Sequence, residues 1–188
     1  HSSGKYLAFV DSDDVWELHK LEKQVELLDD NSDISFVYSA SNRIDSNGIK
    51  IKTARRQTAG YSGNIFENLL FRNFVVSATP VLRRELFEKV SGFQTQYIPY
   101  EDWEFWIRFS LLGNFFFLPT TLAKYRIHPE QSVKLATANK IEEVTTSLLT
   151  DSFKLKDICK KIKNKSLGLA NLRFCYWYVL ANQPQQAK

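Results

Sequence analysis

Three carboxylates fall within four residues at Asp11, Asp13 and Asp14, directly after the apolar run Tyr6-Leu7-Ala8-Phe9-Val10. An apolar run that drives into clustered acids is how a buried strand ends at the edge of a site. On a strand that continued through the acids, Asp11 and Asp13 would share one face and Asp14 would point elsewhere. Acids this close repel one another unless a cation sits among them. A hard divalent ion, Mg²⁺ or Mn²⁺, suits one or two carboxylates plus substrate phosphates. The competing account is an acidic turn in which Ser12 or Asp14 caps the next helix. A second pair, Glu101-Asp102, precedes Trp103 and follows the loop Gln96-Tyr97-Ile98-Pro99-Tyr100. A carboxylate in such an aromatic cleft can be tuned as a general base, while the bland account is the usual preference for acids at a positive helix start. Arg108, on the same helix face as Glu101, is placed to pair with it or to meet a phosphate.

The elements that must hold these groups alternate. Leu18, Leu21, Val25 and Leu28 are spaced as one stripe of a helix over 17–30, with Asp13 or Asp14 placed to cap it. Ile34 to Ser39 reads as a sheet strand, and Asn47-Gly48 between apolar flanks reads as a hairpin turn. Residues 50–63 are polar and basic and read as a loop. A short helix is expected from Asn64, a strand over 74–82 bent or held at an edge by Pro80, and a helix over 84–90 closed by Gly92. A further helix is expected over 101–112, then two strands, 115–118 and 122–127, on either side of Pro119. From Thr137 onward the pattern is helical, interrupted near Asn164-Lys165-Ser166 and at Gly168. Its apolar periodicity, Val144, Leu148, Leu149, Phe153 and Leu155, then Leu169, Leu172, Trp177 and Leu180, predicts two packed helices.

Composition narrows the class. With 188 residues, 44% hydrophobic and 24% charged, the chain can bury a core and is not disordered. Two cysteines without metal-ligand spacing argue for free thiols in a reducing compartment. No stretch approaches the roughly twenty apolar residues of a membrane span, and the start is not a signal peptide. A phosphoryl-transfer enzyme would want a Gly-rich phosphate loop, and none is present. The +4 charge is concentrated at Lys154, Lys156, Lys160, Lys161, Lys163 and Lys165, which reads either as a solvated helix face or as a contact for anionic lipid.

Three stretches, in order, carry a resemblance. Residues Gly4 to Trp16 resemble the Asp-x-Asp strand of the family 2 nucleotide-sugar glycosyltransferases, Glu101-Asp102-Trp103-Glu104-Phe105-Trp106-Ile107-Arg108 resembles their Glu-Asp helix start, and Tyr125-Arg126-Ile127-His128 resembles their tyrosine-arginine-x-histidine segment. The resemblance spans Ser3 to about Val133. It implies an α/β partial GT-A (Rossmann-like) mixed sheet flanked by helices, followed by C-terminal helices. Residues 1–135 would form the metal and acceptor half of a catalytic domain, and 136–188 a helical extension.

By the same resemblance Asp13 and Asp11 hold Mn²⁺ or Mg²⁺, with His128 completing the metal shell. Asp11 and Arg126 would meet the donor and its diphosphate, and Asp102 would be the base of an inverting transfer. Glu101, Trp103 and Tyr100 become acceptor-site candidates. The implied enzyme is a hexosyltransferase-like glycosyltransferase of surface polysaccharide or glycolipid synthesis. It would take a nucleotide-sugar donor and a glycan or lipid-linked acceptor, bind no nucleic acid, and lie in the cytoplasm, with peripheral contact at the inner membrane face. The family begins with a nucleobase-binding half of roughly ninety residues that nothing here matches. The chain therefore reads as a truncated domain, inactive alone, with a sheet edge open to homodimerisation. The alternative class is a non-catalytic glycan- or protein-binding module on the same fold.

Overall fold

A computed structural model describes residues 2–52 and 60–181. The chain divides into two compact units, each assembled from separate stretches: 1–66, 73–92 and 109–128 in the first, 67–72, 93–108 and 129–188 in the second.

The first unit holds the whole sheet. Strands β1 (Tyr6–Ala8), β2 (Val15–Trp16), β3 (Ile34–Ile44), β4 (Val81–Arg83) and β5 (Asn114–Arg126) lie in the order β1-β4-β3-β5-β2. β3 and β5 run parallel and the other pairs antiparallel, so the sheet is mixed as expected. Nine of the eleven β3 residues are buried, because both of its faces are covered. On one face Val37 meets Leu28, Ile34 and Val81. On the other, Phe36 stacks on Phe115 at 4.0 Å between ring centroids and also meets Phe109.

Four local expectations change. β5 is one strand rather than two: its pairing with β3 jumps from Leu118 opposite Ser39 to Thr121 opposite Ala40. Pro119, which has no N–H to donate, sits in the resulting bulge, and the strand resumes beyond it. β4 begins just after Pro80 and is interior, between β1 and β3, not an edge. The third change concerns α1 (Lys20–Asp30), which buries Lys20, Gln24 and Leu28 while Leu18 is 97% and Leu21 44% exposed. Its N-cap is His19, with no side-chain cap from either Asp13 or Asp14, since β2 intervenes. The Asn-Gly turn forms as expected, with Gly48 at φ 83° and Asp45 N–H donating to Ile49 O. Helix α3 (Arg84–Lys89) ends near Gly92, whose φ is +67°. The loop expected over 50–63 lies in part, at 53–59, outside the described residues.

The second unit is helical. Most of α2 (Phe66–Phe71) and of α4 (Glu101–Phe109) lies here, with α5 (Ser132–Leu135), α6 (Ala138–Leu155) and α7 (Lys160–Leu180). α7 runs unbroken through Ser166 and Gly168, which is the fourth change; the interruption falls at 156–159 instead. A row four residues apart, Ser166, Ala170, Phe174 and Tyr178, is the buried face of α7, and Ile141, Val144, Leu148 and Leu149 are buried on α6. The last carbonyls of a helix have no partner within it. In α2 three are met from other helices: Leu69 O by Trp103 Nε1 at 2.7 Å, Leu70 O by Ser166 Oγ at 2.5 Å, Phe71 O by Arg173 Nη1 at 2.6 Å.

Candidate active site

In the first unit the acids are brought together by a turn, not by strand alternation. β1 ends at Ala8, and Asp14 N–H donates back to Asp11 O at 3.1 Å. Three acids in four residues cannot lie in a buried ladder without a large desolvation cost, so the chain leaves the sheet here. The end of β5 anchors the turn. Arg126 N–H donates to Asp14 Oδ1 at 2.8 Å, and its Nε donates to Asp13 O at 2.7 Å. Its Nη1 reaches Asp45 O and Ser46 O at 2.8 and 3.0 Å, tying the Asn-Gly turn to the acidic one. His128 Nε2 lies 2.7 Å from Asp13 Oδ2. Asp11, Asp13, Arg126 and His128, distant in sequence, thus share one corner.

The charge balance of that corner favours a cation. Burial, and then the Asp13 charge, holds Asp11 above the usual carboxylate range. Asp14 is pushed up to about 6, first by burial and then, against the Arg126 N–H, by Asp13 and Asp11. Its Oδ2 is buried with no partner. Among the described residues no three His, Cys, Asp or Glu side chains form a ready cage. Such a donor set suits Mg²⁺ or Mn²⁺ shared with substrate phosphates better than an all-protein metal site.

In the second unit Glu101 and Asp102 open α4. Asp102 Oδ1 accepts from Trp103 N–H at 2.6 Å, and Glu101 Oε2 is buried without a partner. Trp103 is only 3% exposed, its ring edge against Tyr100 and its face against Arg173, whose Cζ lies 5.3 Å from the ring centroid. Tyr100 is half-buried. Burial pushes its hydroxyl up to about 12, with Arg173 pulling the other way. Arg108 pairs with Glu104, not Glu101: Nε to Oε1 is 2.5 Å and Nη2 to Oε2 2.7 Å. Both side chains are nearly buried, so the pair braces α4 internally.

Two sets of residues here were missed by sequence reasoning. Trp16 Nε1, Gln24 Nε2 and Lys20 Nζ donate to three successive carbonyls, of Ala78, Thr79 and Pro80, at 2.8, 2.9 and 3.3 Å. They hold the irregular 77–80 segment just behind the acidic turn. The only sequence signal was the i, i+4 spacing of Lys20 and Gln24 beside a proline-broken strand. The other set is Arg173 and its neighbours, which lie beyond every motif.

Known proteins share this architecture. The chain aligns over 99% of its length with 65% of the crystal structure of S. aureus TarS 1-349, at a TM-score of 0.50 and 15% identity, a likeness of fold. That places it in the α/β class of that structure. The sequence matches Glycosyltransferase like family 2 over residues 1–141. It is 33% identical, over 57% of this chain and 39% of the relative, to the UDP-Glc:alpha-D-GlcNAc-diphosphoundecaprenol beta-1,3-glucosyltransferase WfgD of Escherichia coli. It is 27% identical, over 97% of this chain and 65% of the relative, to the amylovoran biosynthesis glycosyltransferase AmsB of Erwinia amylovora. An uncharacterized glycosyltransferase of Rickettsia bellii is 30% identical over 70% of this chain and 18% of its own length. The chain belongs to the family 2 glycosyltransferases. It spans less than two thirds of the length of each of these relatives.

Proposed function

We propose that this chain carries the metal-binding and acceptor-activating part of an inverting glycosyltransferase of surface polysaccharide or glycolipid assembly. One observation carries the reading: the uncompensated acids of the 11–14 turn, pinned by Arg126 and His128 from the end of β5. Asp13 and Asp11 would hold Mn²⁺ or Mg²⁺, which supplies positive charge against the leaving diphosphate. His128 fixes the orientation of the Asp13 carboxylate. Asp102 would accept the proton of the acceptor hydroxyl as that oxygen attacks the anomeric carbon. The bond from that carbon to the diphosphate oxygen breaks, and its electron pair leaves with the nucleoside diphosphate. The names of WfgD and AmsB support a nucleotide-sugar donor and a glycan or lipid-linked acceptor.

The test is a thermal melt of the full-length natural protein with Mn²⁺ and a panel of nucleoside diphosphates. At ligand about 100-fold above Kd, stabilisation of roughly 2.7 kcal/mol is expected, and Asp13→Ala should abolish it. No shift with any nucleotide would remove the donor assignment and favour a non-catalytic module.

A further inference from the structure

Within the second unit, two arginines lie close together without an acid between them. Arg173, on α7, is half-buried; its Nη1 is spent on Phe71 O, and its Nη2 is enclosed with no partner. Arg72 follows directly on the last residue of α2, is exposed, and is near enough that its charge acts on Arg173. Among the described residues neither is in an ion pair. Burial, and secondarily the Arg72 charge, lowers the pKa of Arg173. Half-buried like charges are stable together only when an anion offsets them or other interactions outweigh the cost.

Around Arg173 the chain has built an aromatic wall. Its guanidinium lies on Trp103, Tyr100 meets Trp103 edge-on at 5.7 Å, and Trp177 donates to the Tyr100 hydroxyl. Asp102 is the neighbour of Trp103 in the chain and near enough to Tyr100 for its charge to act there. Capping Phe71 O would need one donor; a lysine or an amide could supply it. The guanidinium brings a second, unused terminal nitrogen and a permanent charge, the features that suit phosphate recognition.

We propose that Arg72 and Arg173 form an anion subsite beside the Asp102 helix start, and that the acceptor carries a phosphate or diphosphate ester bound there. The exposed Arg72 makes the first contact, and Arg173 adds its charge and its free Nη2 donor from within the aromatic wall. This inference rests on the glycosyltransferase reading and names the class of its acceptor. Two sources share the chemistry: a sugar on a prenyl diphosphate, and a glycan joined by phosphodiesters.

The test uses the full-length natural protein with EDTA present, so that no metal at the acidic turn captures the ligand. Inorganic pyrophosphate is titrated against tryptophan fluorescence, to which Trp103 and Trp177 contribute. A saturable change is expected. Its Kd should rise about tenfold or more in Arg72→Gln and in Arg173→Gln, the scale of one lost charge-assisted hydrogen bond, with Arg173→Lys intermediate. Arg72→Gln is an exposed change that leaves the Phe71 cap intact, so its effect is not one of misfolding. No saturable response, or an unchanged Kd in either Gln variant, overturns the proposal. Acceptors on a prenyl diphosphate, on a glycerol phosphodiester and on neither then separate the sources, the true class giving the lowest KM. Equal KM for all three would also overturn it. If pyrophosphate binds as expected but no sugar nucleotide is turned over or hydrolysed, the glycosyltransferase reading fails while the subsite stands. Donor hydrolysis without pyrophosphate binding gives the reverse.

Discussion

Asp102→Asn is expected to lower kcat for sugar transfer by about 10² to 10⁴-fold, the range of a lost general base. The substitution is nearly isosteric. The carboxylate oxygen that accepts from Trp103 N–H at 2.6 Å becomes an amide oxygen that accepts equally well, so the first turn of α4 should stay closed. What disappears is the ability to take a proton, since an amide cannot serve as a base near neutral pH. An acceptor hydroxyl would then have to attack without deprotonation, and kcat and kcat/KM should fall together. Nucleotide-induced stabilisation, which the proposed mechanism assigns to Asp13 and its neighbours, should remain. Steady-state kinetics at saturating donor, run beside thermal melts, separates the two effects. Transfer within a factor of a few of the wild type would show that Asp102 only caps its helix.

What the sequence made legible follows from how local each signal is. The acidic turn and the Glu-Asp start were visible because charges crowded beside apolar residues are costly unless used. The sheet strands were visible because β3 is buried on both faces and so reads as an uninterrupted run of small and apolar residues. The reason the acids converge was not visible. It depends on Arg126 donating to carbonyls of Asp13, Asp45 and Ser46, and backbone acceptors carry no sequence signature. Pro119 argued for a break, yet a sheet can absorb one proline as a bulge. Arg173 escaped because its partners are the end of α2 and the ring of Trp103, 102 and 70 positions away in the chain. The largest misreading was α1, where apolar spacing pointed to Leu18 and Leu21 while the buried row is Lys20, Gln24 and Leu28. Periodicity finds the face that gains by leaving water. Here the 77–80 carbonyls needed donors, and two polar side chains were buried to supply them.

That burial has a measurable cost, and Lys20→Met exposes it. Lys20 is fully buried, with no acid nearby, and burial pulls its pKa from the ordinary 10.5 down to about 7. Its compensations are one hydrogen bond to Pro80 O and the Trp16 ring 4.5 Å from Nζ. A desolvated cation–π contact is worth about 2 kcal/mol, so it offsets only part of the desolvation. Above pH 10.5 the amine is neutral in both folded and unfolded chains and carries no penalty. Between about 7 and 10.5 the unfolded chain binds the proton and the folded one does not, so stability falls by up to about 1.4 kcal/mol for each unit of decreasing pH. Below about 7 both forms are protonated, and the accumulated loss, at most roughly 5 kcal/mol, is constant. Methionine fills similar space without a charge, at the cost of leaving Pro80 O unpaired, about 1 to 3 kcal/mol. The variant should therefore be more stable than the wild type at pH 6 to 7 and less stable near pH 10.5. Urea unfolding across that range tests this through the difference between the two curves, which removes the titration of every other group. A difference independent of pH would mean that Lys20 stays charged inside the fold and is stabilised by more than Trp16 and one carbonyl.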